Sequence, residues 1–298
     1  MEKKEIQKAT PEDIRLFLEG KDDEKYITGV ELDQTGDWST DNSNRVYVTI
    51  DDPKKGKSIK VNKFVPFLWT KNLRGSGFYG DDIDKMKKMA KQYGIFTQKL
   101  ETGGDDRLDD GFKFLVQTGK RLFKGFENYE EVHKVIFDIE TTSLYPEHGH
   151  MFLIGIKDNR GFRKIIDSYE NGIWTEDGER RMIEEFFQIL HELNPSIIAG
   201  YNSESFDWHF ILERMKILGL SKESERVSPR GDVTTTIHSN NIIRTKHPEV
   251  PMIRKSASLK LGAELERYTQ TVYWGVNVMD TMHRVRQAMA INSNIKQF

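Results

Sequence analysis

The chain has 298 residues, of which 37% are hydrophobic and 31% charged, with a net charge of −2 and no cysteine. That length accommodates two domains with sizeable cores. The near-neutral charge excludes a global positive field for nucleic acid but not a local basic patch, and the missing cysteines exclude disulfides and thiolate metal sites.

Thr10 as N-cap, Pro11 at the first helical position and the acids Glu12 and Asp13 predict a helix start. Residues 25–33 and 44–52 alternate apolar with polar, which predicts half-buried strands, and the stretch 34–44 between them is rich in turn formers. Residues 60–71 predict a further strand, placed partly at an edge by Pro66. Residues 81–94 have acids first, lysines later and Gly94 as a stop, the pattern of a short helix. Residues 111–119 predict a further strand. The first 130 residues therefore read as an α+β domain rich in antiparallel strands.

From Lys134 the order becomes strand, strand, strand, helix, strand, helix. The run from Lys134 to Glu140 is nearly continuous in apolar residues up to its acids, as a central strand covered on both faces would be. Residues 151–158 and 162–170 follow as a meander. Met182, Ile183, Phe186, Phe187, Leu190 and Leu193 recur at helical spacing over 176–193, and Asn194-Pro195 ends that helix. Residues 196–202 form a short buried strand, and 205–219 a second helix stopped by Gly219. Residues 131–298 thus predict an α/β domain with a mixed sheet.

Two acids interrupt the first of these strands. Residues two apart on a strand share a face, so Asp138 and Glu140 project side by side while Ile139 enters the opposite layer. Adjacent carboxylates repel unless a cation or proton lies between them. Asp207, in the first turn of the helix that follows the short strand, is a third acid that the topology brings toward them. Hard oxygen ligands without cysteine suit Mg2+ or Mn2+ better than zinc. The same residues also fit a solvated strand edge and a carboxylate that favours a helix N-terminus.

The segments Phe137–Leu144 and Ala199–Met215 resemble the first and second exonuclease motifs of family B DNA polymerases, with the greatest likeness to phage-type members. The D-x-E and N-x-x-x-F-D patterns occur in the family's order, about seventy residues apart, on the expected strand and helix. The resemblance implies a ribonuclease H-like mixed-sheet exonuclease domain, over 131–298, behind an N-terminal polymerase domain over 1–130. It implies proofreading: removal of 3′-terminal nucleotides from DNA by two-metal hydrolysis, with two Mg2+ or Mn2+ ions as cofactors. Asp138 would bridge both ions, Glu140 would hold the first and orient the attacking water, and Asp207 would hold the second. Asn202 and Phe206 match positions beside the terminal nucleotide, and Leu144 matches a position that wedges between terminal bases; ordinary core packing is the alternative for Phe206 and Leu144. The implied partner is DNA, as a single-stranded 3′ end or a primer-template.

The family also has a fourth acid, in a Y-x-x-x-D motif. Neither Tyr268 nor Tyr273 has Asp four residues on, and Asp280 reads as a cap between a strand and a helix. No polymerase palm motif occurs. The expectation is therefore a fragment, or one half of a split polymerase whose second chain carries the palm. The alternatives are a free-standing exonuclease and a non-catalytic DNA-binding or polymerase-assembly module. No apolar run of about 18 residues occurs and the N-terminus has no signal-type core, so no membrane association is expected. The expected location is cytoplasmic, in a host cell if the source is viral. His148 and His150 read as exposed turn residues. Arg244, Lys246, Arg254, Lys255 and Lys260 form a local basic stretch that fits either phosphate contact on a hairpin or a solvated loop.

Overall fold

The computed structural model describes residues 10–12, 15, 19–32, 45–63, 67–69, 77–79, 110–227, 231, 233–244, 252–261 and 264–291. The helix expected over 81–94 and the turn-rich stretch 34–44 lie outside the described residues. The chain divides into two compact units, 1–126 and 127–298.

In the first unit, β1 (Ile27–Leu32), β2 (Arg45–Asp52) and β3 (Gly56–Lys63) form an antiparallel sheet in that order, and β4 (Phe67–Trp69) pairs with β5 (Gly77–Tyr79). Asp52 closes the β2–β3 turn by accepting from the amides of Lys54 and Lys55 at 2.8 and 3.2 Å, and Gly56 leaves the turn at φ +78°. Residues 111–119 are not the expected strand. They belong to a helix, α1 (Asp110–Thr118), stopped by Gly119 at φ +74°, whose amide donates to Leu115 O at 3.0 Å. The reason is packing on one face only. Phe114 is 2% exposed and completes a small core with Ile27, Val46, Val48 and Ile50, while Val116 stays exposed. Gly119 is the stop signal of such a helix.

The second unit is built on a five-stranded sheet. Its strands are β6 (Lys134–Thr141), β7 (Met151–Asp158), β8 (Arg163–Asp167), β11 (Ile197–Gly200) and β16 (Asn277–Asp280), in the order β16-β11-β6-β7-β8. The meander β6-β7-β8 is antiparallel, and β11 runs parallel to both β6 and β16. This is the mixed ribonuclease H-like sheet expected from the sequence. A two-stranded hairpin, β9 (Tyr169–Glu170) and β10 (Ile173–Trp174), precedes helix α2 (Glu176–Leu193). Thr175 caps α2 by accepting from Gly178 N at 2.9 Å, and Asn194 ends it in the left-handed region at φ 44°. Helix α3 (Asp207–Ile217) follows β11. A four-stranded antiparallel sheet, β12 (Ser221–Val227), β13 (Val233–Ser239), β14 (Met252–Leu261) and β15 (Glu264–Tyr273), is inserted before β16, and α4 (Thr281–Ile291) follows it. Among the described residues no helix is long and apolar enough to cross a membrane.

One face of the five-stranded sheet carries the core. Val135, Phe137 and Ile139 of β6 are buried among Phe186 and Phe187 of α2 and Trp208 of α3. Phe137 stacks edge-on to Trp208 at 4.9 Å and packs against Phe186 at 5.1 Å. The other face is open at β6, contrary to the expected strand covered on both sides. Asp138 and Glu140 are exposed there, as is Ile136 at 52%. Only alternate residues of β6 enter the core, so its apolar run marks a central strand by edge pairing rather than by double burial.

Candidate active site

The site is made by three strand ends. β11 stops at Gly200, while β6, its parallel neighbour, runs on to Thr141. Past that point the β11 side of β6 has no strand beside it. The amide of Ile139 donates instead to Asp207 Oδ1 at 3.2 Å, so the carboxylate stands in for the missing ladder partner. Asp207 is held in place by its neighbour in sequence, Trp208, which is fully buried in the core.

This brings Asp138 and Asp207 together. Asp207 is 3% exposed, and burial, with the charge of Asp138 as the second cause, pushes its carboxyl up to about 6. Glu140 lies on the same open face of β6, opposite Leu153 of β7. Among the described residues no three His, Cys, Asp or Glu side chains converge on one point as metal ligands do. The chemistry of the donors fits a hard divalent cation, and two carboxylates in mutual repulsion are the grip such an ion relieves.

The other predicted residues lie on loops at the same end of the sheet. Asn202 adopts φ 61°, and its carbonyl accepts from Phe206 N at 3.0 Å. Phe206 is half-buried against the core and packs on Phe210 at 5.7 Å. Leu144 is 74% exposed, which removes core packing as its explanation.

Asp280, at the end of β16, is 5% exposed and spends both oxygens on backbone. Oδ1 accepts from Asn202 N and Met282 N, each at 2.9 Å, and Oδ2 from Glu204 N at 3.1 Å. It caps α4, as its sequence context predicts, and also anchors the loop that leads to Asp207. Gly200 permits the tight exit from β11, because a Cβ there would stand 2.5 Å from Ser203 Cβ.

Three polar residues escaped sequence reading. Glu204, 3% exposed, accepts from Thr271 N with both oxygens at 3.0 and 2.9 Å, and burial pushes it up to about 7. Glu179 and Arg214 form a buried ion pair at 2.7 Å. An acid in a helix first turn and an arginine in a last turn look like ordinary dipole partners, so no sequence signal marked them.

Two readings of basic residues change. Arg254 is not free for phosphate. It turns inward, donating to Glu204 O at 2.9 Å and lying 3.3 Å from His209 Nδ1, and burial lowers its pKa. β14 is in a sheet, so alternate residues must face inward. His148 is exposed as expected, but His150 is half-buried and stacks on Trp174 at 4.0 Å.

Residues 122–293 match the family described as DNA polymerase family B, exonuclease domain. The chain is 35% identical over 113 residues to the catalytic polypeptide of DNA polymerase epsilon from Emericella nidulans, covering 30% of this chain and 5% of that protein. It is 32% identical over 123 residues to a DNA polymerase of Pyrococcus glycovorans, covering 37% of this chain and 16% of that one. The chain thus spans a small part of the length of these curated relatives. The solved family B DNA polymerase of Pyrobaculum calidifontis aligns with a TM-score of 0.45 at 16% identity, covering 70% of this chain and 35% of that one.

Proposed function

Because the chain belongs to the family of DNA polymerase family B exonuclease domains, we propose that it is the proofreading part of a replicative polymerase, of phage type, which hydrolyses the last phosphodiester of a DNA 3′ end. The observation that carries this reading is the pairing of Asp138 with Asp207 across the end of β11, where Asp207 holds the Ile139 amide between the two acids of β6. Asp138, Asp207 and Glu140 would hold two Mg2+ or Mn2+ ions. When bound, such ions lower the pKa of a water and stabilise a leaving oxygen.

The chain's own residues supply position. Asp207 fixes the distance of α3 from β6. Asn202 stands at a left-handed turn with its side chain available to the terminal nucleotide, Phe206 offers a half-buried ring, and Leu144 an exposed apolar wedge. Polymerisation would be the work of a palm elsewhere, on further polypeptide or on a second chain. A second reading, a polymerase-assembly module without chemistry, is favoured by the failure of three acids to converge among the described residues.

Manganese binding followed by electron paramagnetic resonance, with digestion of 3′-labelled single-stranded DNA, tests both. Weak binding and slow Mn2+-dependent digestion are expected, and Asp138→Ala and Asp207→Asn should each lower manganese affinity tenfold or more, on the order of one lost carboxylate ligand. Affinity unchanged in both variants sinks the metal site and leaves the assembly module.

A further inference from the structure

Arg214 lies seven residues after Asp207 on α3, two turns on, so the two side chains leave the same face. Asp207 takes the amide of Ile139 on β6, and Arg214 Nη1 donates to Pro146 O at 3.1 Å, in the loop after β6. The rest of the guanidinium is committed to Glu179 in the first turn of α2: Nε to Oε1 at 2.9 Å and Nη2 to Oε2 at 2.7 Å. Glu179 Oε1 also accepts from Met151 N at 3.0 Å, at the start of β7. Residues 139–151 are therefore pinned at three points, by Asp207, Arg214 and Glu179.

Between those points the loop is closed on itself. Thr142 N donates to His150 O at 3.0 Å, His150 N donates to Thr142 Oγ1 at 3.1 Å, and Thr141 Oγ1 donates to Ser143 O at 2.8 Å. A Cβ on Gly149 would stand 2.5 Å from Ser143 Cβ, so only glycine permits this closure. His150 stacked on Trp174 braces its base. What this braced loop presents to solvent is Leu144, 74% exposed, and Tyr145, 64% exposed. The backbone that carries these two is fixed at the points named above. A buried ion pair contributes little net stability over an apolar pair of the same volume, yet Glu179 is fully buried and Arg214 7% exposed. Both spend part of their hydrogen bonding on the loop backbone, so their burial is explained by what they hold.

We propose that Arg214, through Pro146 and with Glu179, is a positioning residue that holds Leu144 and Tyr145 at a fixed distance from Asp207, as an apolar step against which the 3′-terminal base of single-stranded DNA unstacks. The inference rests on the exonuclease reading and extends it from the acids to a clamp two turns further along the same face of α3. Arg214→Lys keeps a charge beside Glu179 but lacks the fork that reaches both Glu179 and Pro146.

The test uses a short single-stranded oligonucleotide with 2-aminopurine as its 3′-terminal base, titrated with the whole chain in EDTA so that no hydrolysis occurs. The parent chain should raise the fluorescence as the base unstacks. Arg214→Lys should cut the saturating rise by about threefold or more while anisotropy reports a similar affinity, since stacking on one base is a fraction of total binding. Leu144→Ala with Tyr145→Ala should reproduce that loss. The paired change Glu179→Met with Arg214→Met, which leaves no lone buried charge, guards against a folding defect and should give the same loss. A full rise in either folded Arg214 variant, or binding by the parent chain without any rise, overturns the proposal. Absence of any binding by the parent chain overturns instead the exonuclease reading on which it stands.

Discussion

Glu204 and Asp207, three residues apart, are both buried carboxyl groups, and their surroundings give them different work. Asp207 faces Asp138, and a cation is the natural relief of that repulsion. Glu204 faces the Thr271 amide, with Arg254 and Asp280 as its nearest charges, and burial dominates, pushing it up to about 7. The sign of its effect on stability follows. Below the ordinary Glu value near 4.5 both folded and unfolded chains hold the proton and nothing is lost. As pH rises through the interval up to about 7 the unfolded chain releases it and the folded chain does not, so stability falls, by on the order of 3 kcal/mol in all. Glu204→Gln cannot ionise and still offers Thr271 an acceptor. Its urea midpoint relative to the parent should therefore be markedly higher at pH 8 than at pH 5; a difference independent of pH would show that Glu204 titrates normally.

The loop from Gly200 to Phe206 is the element on which the site depends, and it has little core of its own. Tyr201 and Ser205 are exposed, Asn202 and Phe206 half-buried. Its shape comes from outside, chiefly from Asp280, which accepts from the loop amides of Asn202 and Glu204 as well as from Met282 N of α4, and from Thr281 Oγ1, which donates to Gly200 O at 2.8 Å. Asp280→Ala leaves those amides without their acceptor and should cost about 3 kcal/mol, whereas Asp280→Asn keeps the two bonds to Oδ1 and should cost about 1. Hydrogen exchange at Asn202 and Glu204 should accelerate most in the alanine variant; equal costs for the two changes would mean that the carboxylate does not anchor the loop.

At the scale of the molecule, the described residues of the two units form separate hydrophobic clusters of unequal size. Among the described residues, Ile27, Val46, Val48, Ile50 and Phe114 form the buried cluster of the first, while the second buries an aromatic group of Phe137, Phe186, Phe187 and Trp208 within a much larger cluster. Units with separate cores melt separately when their stabilities differ. Calorimetry should resolve two transitions, with the lower belonging to residues 1–126. Phe114→Ala, which removes the largest side chain of that described cluster at a cost of about 3 kcal/mol, should lower the first transition and leave the second in place. A single transition shifted as a whole would show that the units unfold together.

Local pattern was enough for much of this protein. Capping residues and a period of 3.6 set the limits of α2, because Thr175, Asn194 and the apolar stripe between them act within one helix. Period two put Asp138 and Glu140 on one face of β6, and a turn residue at Gly219, φ +71°, ended α3. These are short-range effects, written where they act. The tertiary structure decided the rest. Which side chain of residues 111–119 enters the core, Phe114 among Ile27, Val46, Val48 and Ile50, depends on strands far away in sequence. Whether β6 is covered on its second face and whether Arg254 points to solvent or inward both depend on partners dozens of residues away. Asp207 meets the Ile139 amide only because β11 ends before β6 does, and Arg214 reaches Pro146 only because α3 then lies along that same segment. A sequence names the acids; the relative lengths of neighbouring strands determine which of them meet.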